Sequence, residues 1–285
     1  PPSLPEIADA GPPAADARAR YSVGGMTSLS WRLMVLVLLG CAPAEAQDDE
    51  TRVALAVFDQ VLDTRVRDGF VYYRALKADR RGLDRYVASL ATADVPRRRD
   101  DEIAFWLNAY NGLVLQTVVN HYPGRTMAQI PAAFTRRHQV AGRALSLEQI
   151  EQTILAGYRD PRVFFALGRG AAGSGRLRSE IYTAEALDRQ LREQMEECAA
   201  RDRCIRVNAP LGRIQASQIF QWRRKEFADA YGAAAGARPA LEKAVLAYAG
   251  TRPIQAEREF LERDRFRVEF VPFDWSLNDL ATRRR

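Results

Sequence analysis

From Asp100 to Asn120 the apolar side chains Ile103, Trp106, Leu107, Tyr110, Leu113, Val114 and Val118 recur at helical spacing and share a face. This is the clearest helix in the chain, and Pro123 and Gly124 end it. Residues 51–64 and 75–92 read as amphipathic helices, separated by a turn and a short extended piece over Arg67–Tyr73. Gln139–Ala144 predicts a hairpin turning at Gly142. Ser146, with Gln149 three residues later, has the pattern of a capping box opening a helix through Tyr158. Arg162–Leu167 is a β-rich run entering a Gly-rich loop, and a helix follows from Thr183. Ile205–Asn208 and Arg213–Ala216 alternate as strands, residues 217–230 and 239–249 read as helices, and Arg267–Phe273 is the last strand. Helices and strands mix without strict β-α-β alternation, which predicts an α+β fold with helices packed on a small mixed or antiparallel sheet.

The N-terminal part changes that picture by removing itself from the fold. Residues 1–25 are rich in Pro, Ala and Gly and read as a disordered upstream extension, with Met26 as the start. Residues 26–46 have the form of a signal peptide: Arg32, the apolar run 33–39, and Ala44-Glu45-Ala46 as a cleavage site, too short an apolar run to span a membrane. Leu38-Leu39-Gly40-Cys41 also resembles a lipobox, with Cys41 as a lipid anchor point. The expectation is an exported protein, periplasmic or secreted, whose residues 47–285 form one domain.

Net charge is +6, and residues 1–46 hold three Arg and four Asp/Glu, so the remainder carries +7. The basic clusters (Arg97–Arg99, Arg136-Arg137, Arg223–Lys225, Arg283–Arg285) are scattered and carry no binding motif, so they read as solvated surface and no nucleic-acid partner is expected. Of three cysteines, Cys198 and Cys204 lie beyond the signal. An exported compartment permits a disulfide between them, while Cys198 also continues the helical stripe of Ala184, Leu187, Leu191 and Met195 and fits a buried apolar position. His121 and His138 are far from both, so no metal site is expected, and no cofactor.

Three stretches, in order, resemble the domain-of-unknown-function family 547. They are Ala104-Phe-Trp-Leu-Asn-Ala-Tyr-Asn-Gly-Leu-Val114; Leu145–Glu151 with Asp160–Leu167, Leu177-Arg178 and Tyr182-Thr-Ala; and Ile219-Phe-x-Trp222 with Phe273-Asp-Trp-Ser-Leu-Asn278. The resemblance implies a thiol-hydrolase-like core, similar in shape to papain-type and NlpC/P60-type peptidases, in which a cysteine and a histidine pair. The thiolate attacks, and the imidazole lowers its pKa and returns the proton. Position by position, this chain departs from that pattern. Ser174, followed by Gly175 and Arg176, stands for the Cys before Pro-Pro-Leu-Arg, and Gln152 for the His of Ile-Glu-His. Phe164 stands for the His before Phe-Ala-Leu, and Gly168-Arg169 for Asn-Cys.

These departures predict a catalytically degenerate scaffold with no catalytic residue, binding a peptide, glycan or envelope protein in the remaining cleft. The alternative is a hydrolase or acyl-transferase in which Ser174 is the nucleophile, with His138, Glu151 and Asn108 in support. A purely structural envelope protein is a third reading. Gly173-Ser-Gly is not a G-x-S-x-G elbow, because Ala172 stands where its first Gly belongs. Gly168–Gly173 spells G-x-G-x-x-G but does not open directly into a helix, so it reads as a loop. Candidate ligand-binding residues are Asn108, Asn111, Glu151, Arg169, Arg176 and Arg178, the arginines as an open groove for an anion. For Asn108 and Asn111 the favoured reading is hydrogen bonding to buried backbone of a neighbouring loop. Glu151 reads as a charge on a solvated helix face unless a base such as Arg178 meets it. Phe105, Trp106, Trp222 and Trp275 read as core.

Overall fold

The computed structural model describes residues 44–282, with side chains from Glu50 onward. The extension 1–25, the lipobox at Cys41 and all but the last three residues of the signal segment lie outside the described residues. Two helices open the fold. α1 (Ala44–Arg65) leads through the two-stranded ladder of β1 (Val66–Arg67) and β2 (Phe70–Val71) into α2 (Tyr73–Ala78) and α3 (Arg81–Ser89). The single helix expected over 75–92 is thus broken at Asp79-Arg80. α1 packs on α3 through Phe58 and Tyr86, whose rings stack with centroids 4.2 Å apart.

α4 (Arg99–His121) runs through the middle of this packing. Fifteen of its residues are buried, so it is wrapped on every side rather than along one stripe. Asp100, Asp101 and Glu102 in its first turn favour the positive end of the helix dipole. At Gly112 a Cβ would come within 2.7 Å of the Tyr86 ring, so glycine lets α3 approach closely.

β3 (Arg137–Val140) and β4 (Arg143–Ser146) form the expected hairpin, turning at Ala141-Gly142. Ser146 and Gln149 then make the reciprocal capping box of α5 (Leu147–Gln149), after which the helix widens into a π-helical stretch, Ile150–Leu155. Arg162–Leu167 is not a strand. Pro161–Phe165 is a 3-10 turn capped by the Asp160 carboxylate on the Arg162 N–H, and Val163, Phe164, Phe165, Ala166 and Leu167 are all buried. A continuous apolar run buried all round has no period to separate turn from strand.

The helix expected at Thr183 begins later, as α6 (Leu187–Ala200), the preceding residues forming turns. β5 (Ile205–Asn208) and β6 (Arg213–Ser217) pair antiparallel, and after α7 (Ile219–Trp222), α8 (Arg224–Tyr231), α9 (Ala240–Ala249) and α10 (Gln255–Glu262), β7 (Arg267–Val271) adds parallel to β6. The sheet is therefore mixed and ordered β5-β6-β7, and the fold is α+β. The helix expected over 217–230 is divided at Arg223, and α10 had no forecast. Phe165, Phe220, Phe227 and Tyr248 form a second aromatic core joining the 3-10 turn to α7, α8 and α9.

Cys198 and Cys204 are joined as a disulfide, with Cα atoms 5.1 Å apart, and both are buried. Beside them the buried Arg252 donates to the carbonyls of Ala199 and Ile205, each one residue beyond a cysteine, and pairs with Glu257. Among the described residues no helix is long and apolar enough to cross a membrane.

Candidate functional site

Glu151 lies in the π-helical stretch, and the structure gives it partners that its sequence position did not suggest. Its Oε1 accepts from Arg169 Nη2 at 2.7 Å and Arg223 Nη2 at 3.1 Å; its Oε2 accepts from Arg169 Nε and the Tyr110 hydroxyl, each at 3.2 Å. Arg178, the base considered for it, instead pairs with Glu180 and Glu193. Burial pushes the Glu151 carboxyl up, but the charges and hydrogen bonds of Arg169 and Arg223 outweigh burial and hold it below the usual carboxylate range. Glu151 is thus a fixed anion, saturated by donors and unsuited to delivering a proton near neutral pH.

Arg169 is 2% exposed and donates in addition to the Phe164 carbonyl at 3.0 Å. Its backbone sits at φ +26°, outside the regions an L-residue prefers, a strain held in place by this paired guanidinium. Arg223 completes the cluster, its guanidinium 4.4 Å from the Phe164 ring centroid and 3.3 Å from Glu226.

Above this buried ionic floor opens a cavity of about 420 Å³, walled by Phe134, Thr135, Glu148, Gln152, Trp222 and Trp275. Trp222 is 42% exposed, correcting the expectation that it is core. It lies against Trp275, with centroids 5.8 Å apart and planes 29° apart, and Phe134 meets Trp275 edge-on. Trp106 is buried as expected, and Phe105 packs partly buried against it.

Trp275 is placed by the segment 273–279, which runs through the molecule as a strap. Thr126 Oγ1 and the Met127 N–H donate to the Trp275 carbonyl, Ala172 N–H to that of Ser276, and Gly173 N–H to that of Asp274. Asn278 accepts from the Tyr73 hydroxyl and donates to the Gly69 carbonyl. The Gly-rich loop is therefore packed, not free. At Gly175 a Cβ would stand 1.7 Å from the Phe165 carbonyl oxygen, so only glycine fits.

The asparagines of α4 hold the walls. Asn108 exchanges two hydrogen bonds with the backbone of Tyr182, at 2.8 and 2.9 Å. Asn111 donates to the Ala166 carbonyl and accepts from the Gly168 N–H, bracketing the turn that delivers Arg169. Both act on buried backbone, as favoured from the sequence.

The remaining candidates are not gathered here. Ser174 Oγ is buried without a hydrogen-bond partner, and so is His138 Nε2 on β3, so the two are not bonded to each other. Burial, and then the charge of Arg136, lowers the His138 pKa. Arg176 pairs with Glu197 at 2.7 Å and lies 3.9 Å from Asp68, while Arg178 faces Glu180 and Glu193. Neither borders the Arg169 cavity, so the three arginines do not form one anion groove. No cluster of His, Cys, Asp or Glu able to hold a metal occurs among the described residues.

The profile of the family described as "Protein of unknown function, DUF547" matches residues 96–198. Over that span the chain is similar to the DUF547 family. The matched span holds α4, Glu151, Gln152, Arg169 and Ser174, whereas Trp222, Arg223 and the strap that sets Trp275 lie beyond it. Neither a curated protein nor a solved structure matches the chain.

Proposed function

We propose that this protein is an exported binding domain, catalytically degenerate, which holds a peptide, glycan or envelope protein in the cavity above Glu151. One observation carries the reading. Of the four positions where the family resemblance expects thiol or imidazole, Gln152 and Arg169 line that cavity beside Glu151 and Phe164 packs beneath it against Arg169 and Arg223, while Ser174 does not line it. A cysteine replaced by arginine there supplies no nucleophile, and its guanidinium neutralises the carboxylate that stays. Descent from a thiol-hydrolase-like core is supported by that clustering together with the motifs of α4. Export is supported by the signal-like segment 26–46 and by the Cys198–Cys204 disulfide, which suits an oxidising compartment. Anchoring through Cys41 belongs to the same reading.

The hydrolase alternative keeps one point in its favour, the buried and unpartnered Ser174 hydroxyl. A serine needs a general base within hydrogen-bond reach, and none bonds to this one. The test is turnover of p-nitrophenyl esters and fluorogenic peptides by the wild-type protein and by Ser174→Ala. Neither is expected to exceed the uncatalysed rate. Turnover by the wild type that is lost in Ser174→Ala would overturn the reading.

A further inference from the structure

We infer that the ligand of the aromatic cavity is a neutral carbohydrate chain, one ring of which stacks on Trp222 and Trp275. The inference rests on the binding reading above and names the chemical class that the walls select. A pyranose has an apolar C–H face and an edge crowded with hydroxyls that both donate and accept. The cavity offers the matching pair of surfaces. Trp222, exposed to solvent, is backed by Trp275 stacked against it, and Thr135, Glu148 and Gln152 stand around them with hydroxyl, carboxylate and amide groups. Gln152 already donates to Glu148 at 3.0 Å, which fixes a carboxylate and an amide side by side at the rim.

Other ligand classes fit these walls less well. An anion would need uncommitted cationic donors, but Arg169 is spent on Glu151 and the Phe164 carbonyl, and Arg223 on Glu151 and Glu226. A peptide bound by strand addition would need a strand edge, and none of the lining residues belongs to a strand. A volume of about 420 Å³ falls in the range of small-molecule sites, which is about 300–1,000 Å³. A second cavity of about 760 Å³ shares Gln152 with the first and is lined also by Lys225, Glu226 and Asp229 of α8. A chain of sugars, rather than one ring, can therefore continue from the aromatic end across Gln152.

The test is binding of the full-length protein to an array of neutral and acidic glycans, followed by titration of cellohexaose, chitohexaose and a random hexapeptide mixture, read by tryptophan fluorescence. Trp222→Ala, Trp275→Ala and the wild type are compared, with thermal melts to check folding. Retention of a neutral glycan, weakened at least tenfold in Trp222→Ala at an unchanged melting temperature, is the expected result. If no neutral glycan is retained, or if Trp222→Ala binds it as the wild type does, the inference is overturned. Peptides that bind in a Trp222-dependent way while glycans do not would remove the carbohydrate and leave the binding reading standing. If neither glycan nor peptide perturbs the wild type, the carbohydrate falls and the binding reading is reduced to an envelope protein.

Discussion

Glu151 shows how one residue's chemistry is settled by what the chain brings to it. Its side chain is 14% exposed and that of Arg169 is 3%, so each charge would be costly without the other. The folded carboxyl titrates below its unfolded value of about 4.3. Its stabilising contribution is therefore complete above that value and is lost as pH falls through the folded one. Replacing it by Gln leaves two buried guanidiniums without their shared anion. The Glu151→Gln variant is expected to lose about 3 kcal/mol near neutral pH, and the deficit should narrow as the wild type is acidified below about pH 4. Urea unfolding across that range measures both. A constant gap at every pH would mean that Glu151 does not carry the charge assigned to it.

At the scale of elements, the cavity depends on loops more than on helices. The Gly-rich loop is pinned between Phe165 and the strap 273–279, and Gly175 marks where the backbones touch. Gly175→Ala, which forces a Cβ into the Phe165 carbonyl, should cost about 3 kcal/mol and loosen the turn that presents Arg169; denaturant midpoints and Trp275 fluorescence would report both. A neutral effect would mean that the loop yields where it has been described as fixed. Elements with a strong local signal were legible: the period of α4, the Ser146–Gln149 capping box, the alternation of β5 and β6, and the role of Asn108 and Asn111. The 3-10 turn at Pro161–Phe165 was not, because complete burial erases the period that identifies an element. Asp79-Arg80 and Arg223 break helices without a proline or glycine to announce it. Half of the candidate site escaped for a related reason. Trp222 and Trp275 stand in short segments without a period, and an exposed tryptophan reads the same as a buried one until its neighbours are known.

Across the whole molecule, residues that are far apart in sequence converge on one cavity: Glu151 and Gln152 from the π-helical stretch, with Tyr110 of the central helix bonded to Glu151 from below, Arg169 from the Gly-rich loop, Trp222 and Arg223 from the joint between α7 and α8, and Trp275 from the strap. Only part of that set lies in the matched DUF547 span. The span contributes Glu151, Arg169 and Phe134, and the C-terminal third contributes Arg223, Trp222 and Trp275. The positive net charge does not reach the cavity as free cations, because its arginines are paired.

The claim that recognition has replaced chemistry is tested most directly by exposing the protein to a fluorophosphonate, which couples to activated serines, and weighing it intact. The account predicts no adduct, since Ser174 has no base hydrogen-bonded to it. A single stoichiometric adduct mapped to Ser174 would contradict it.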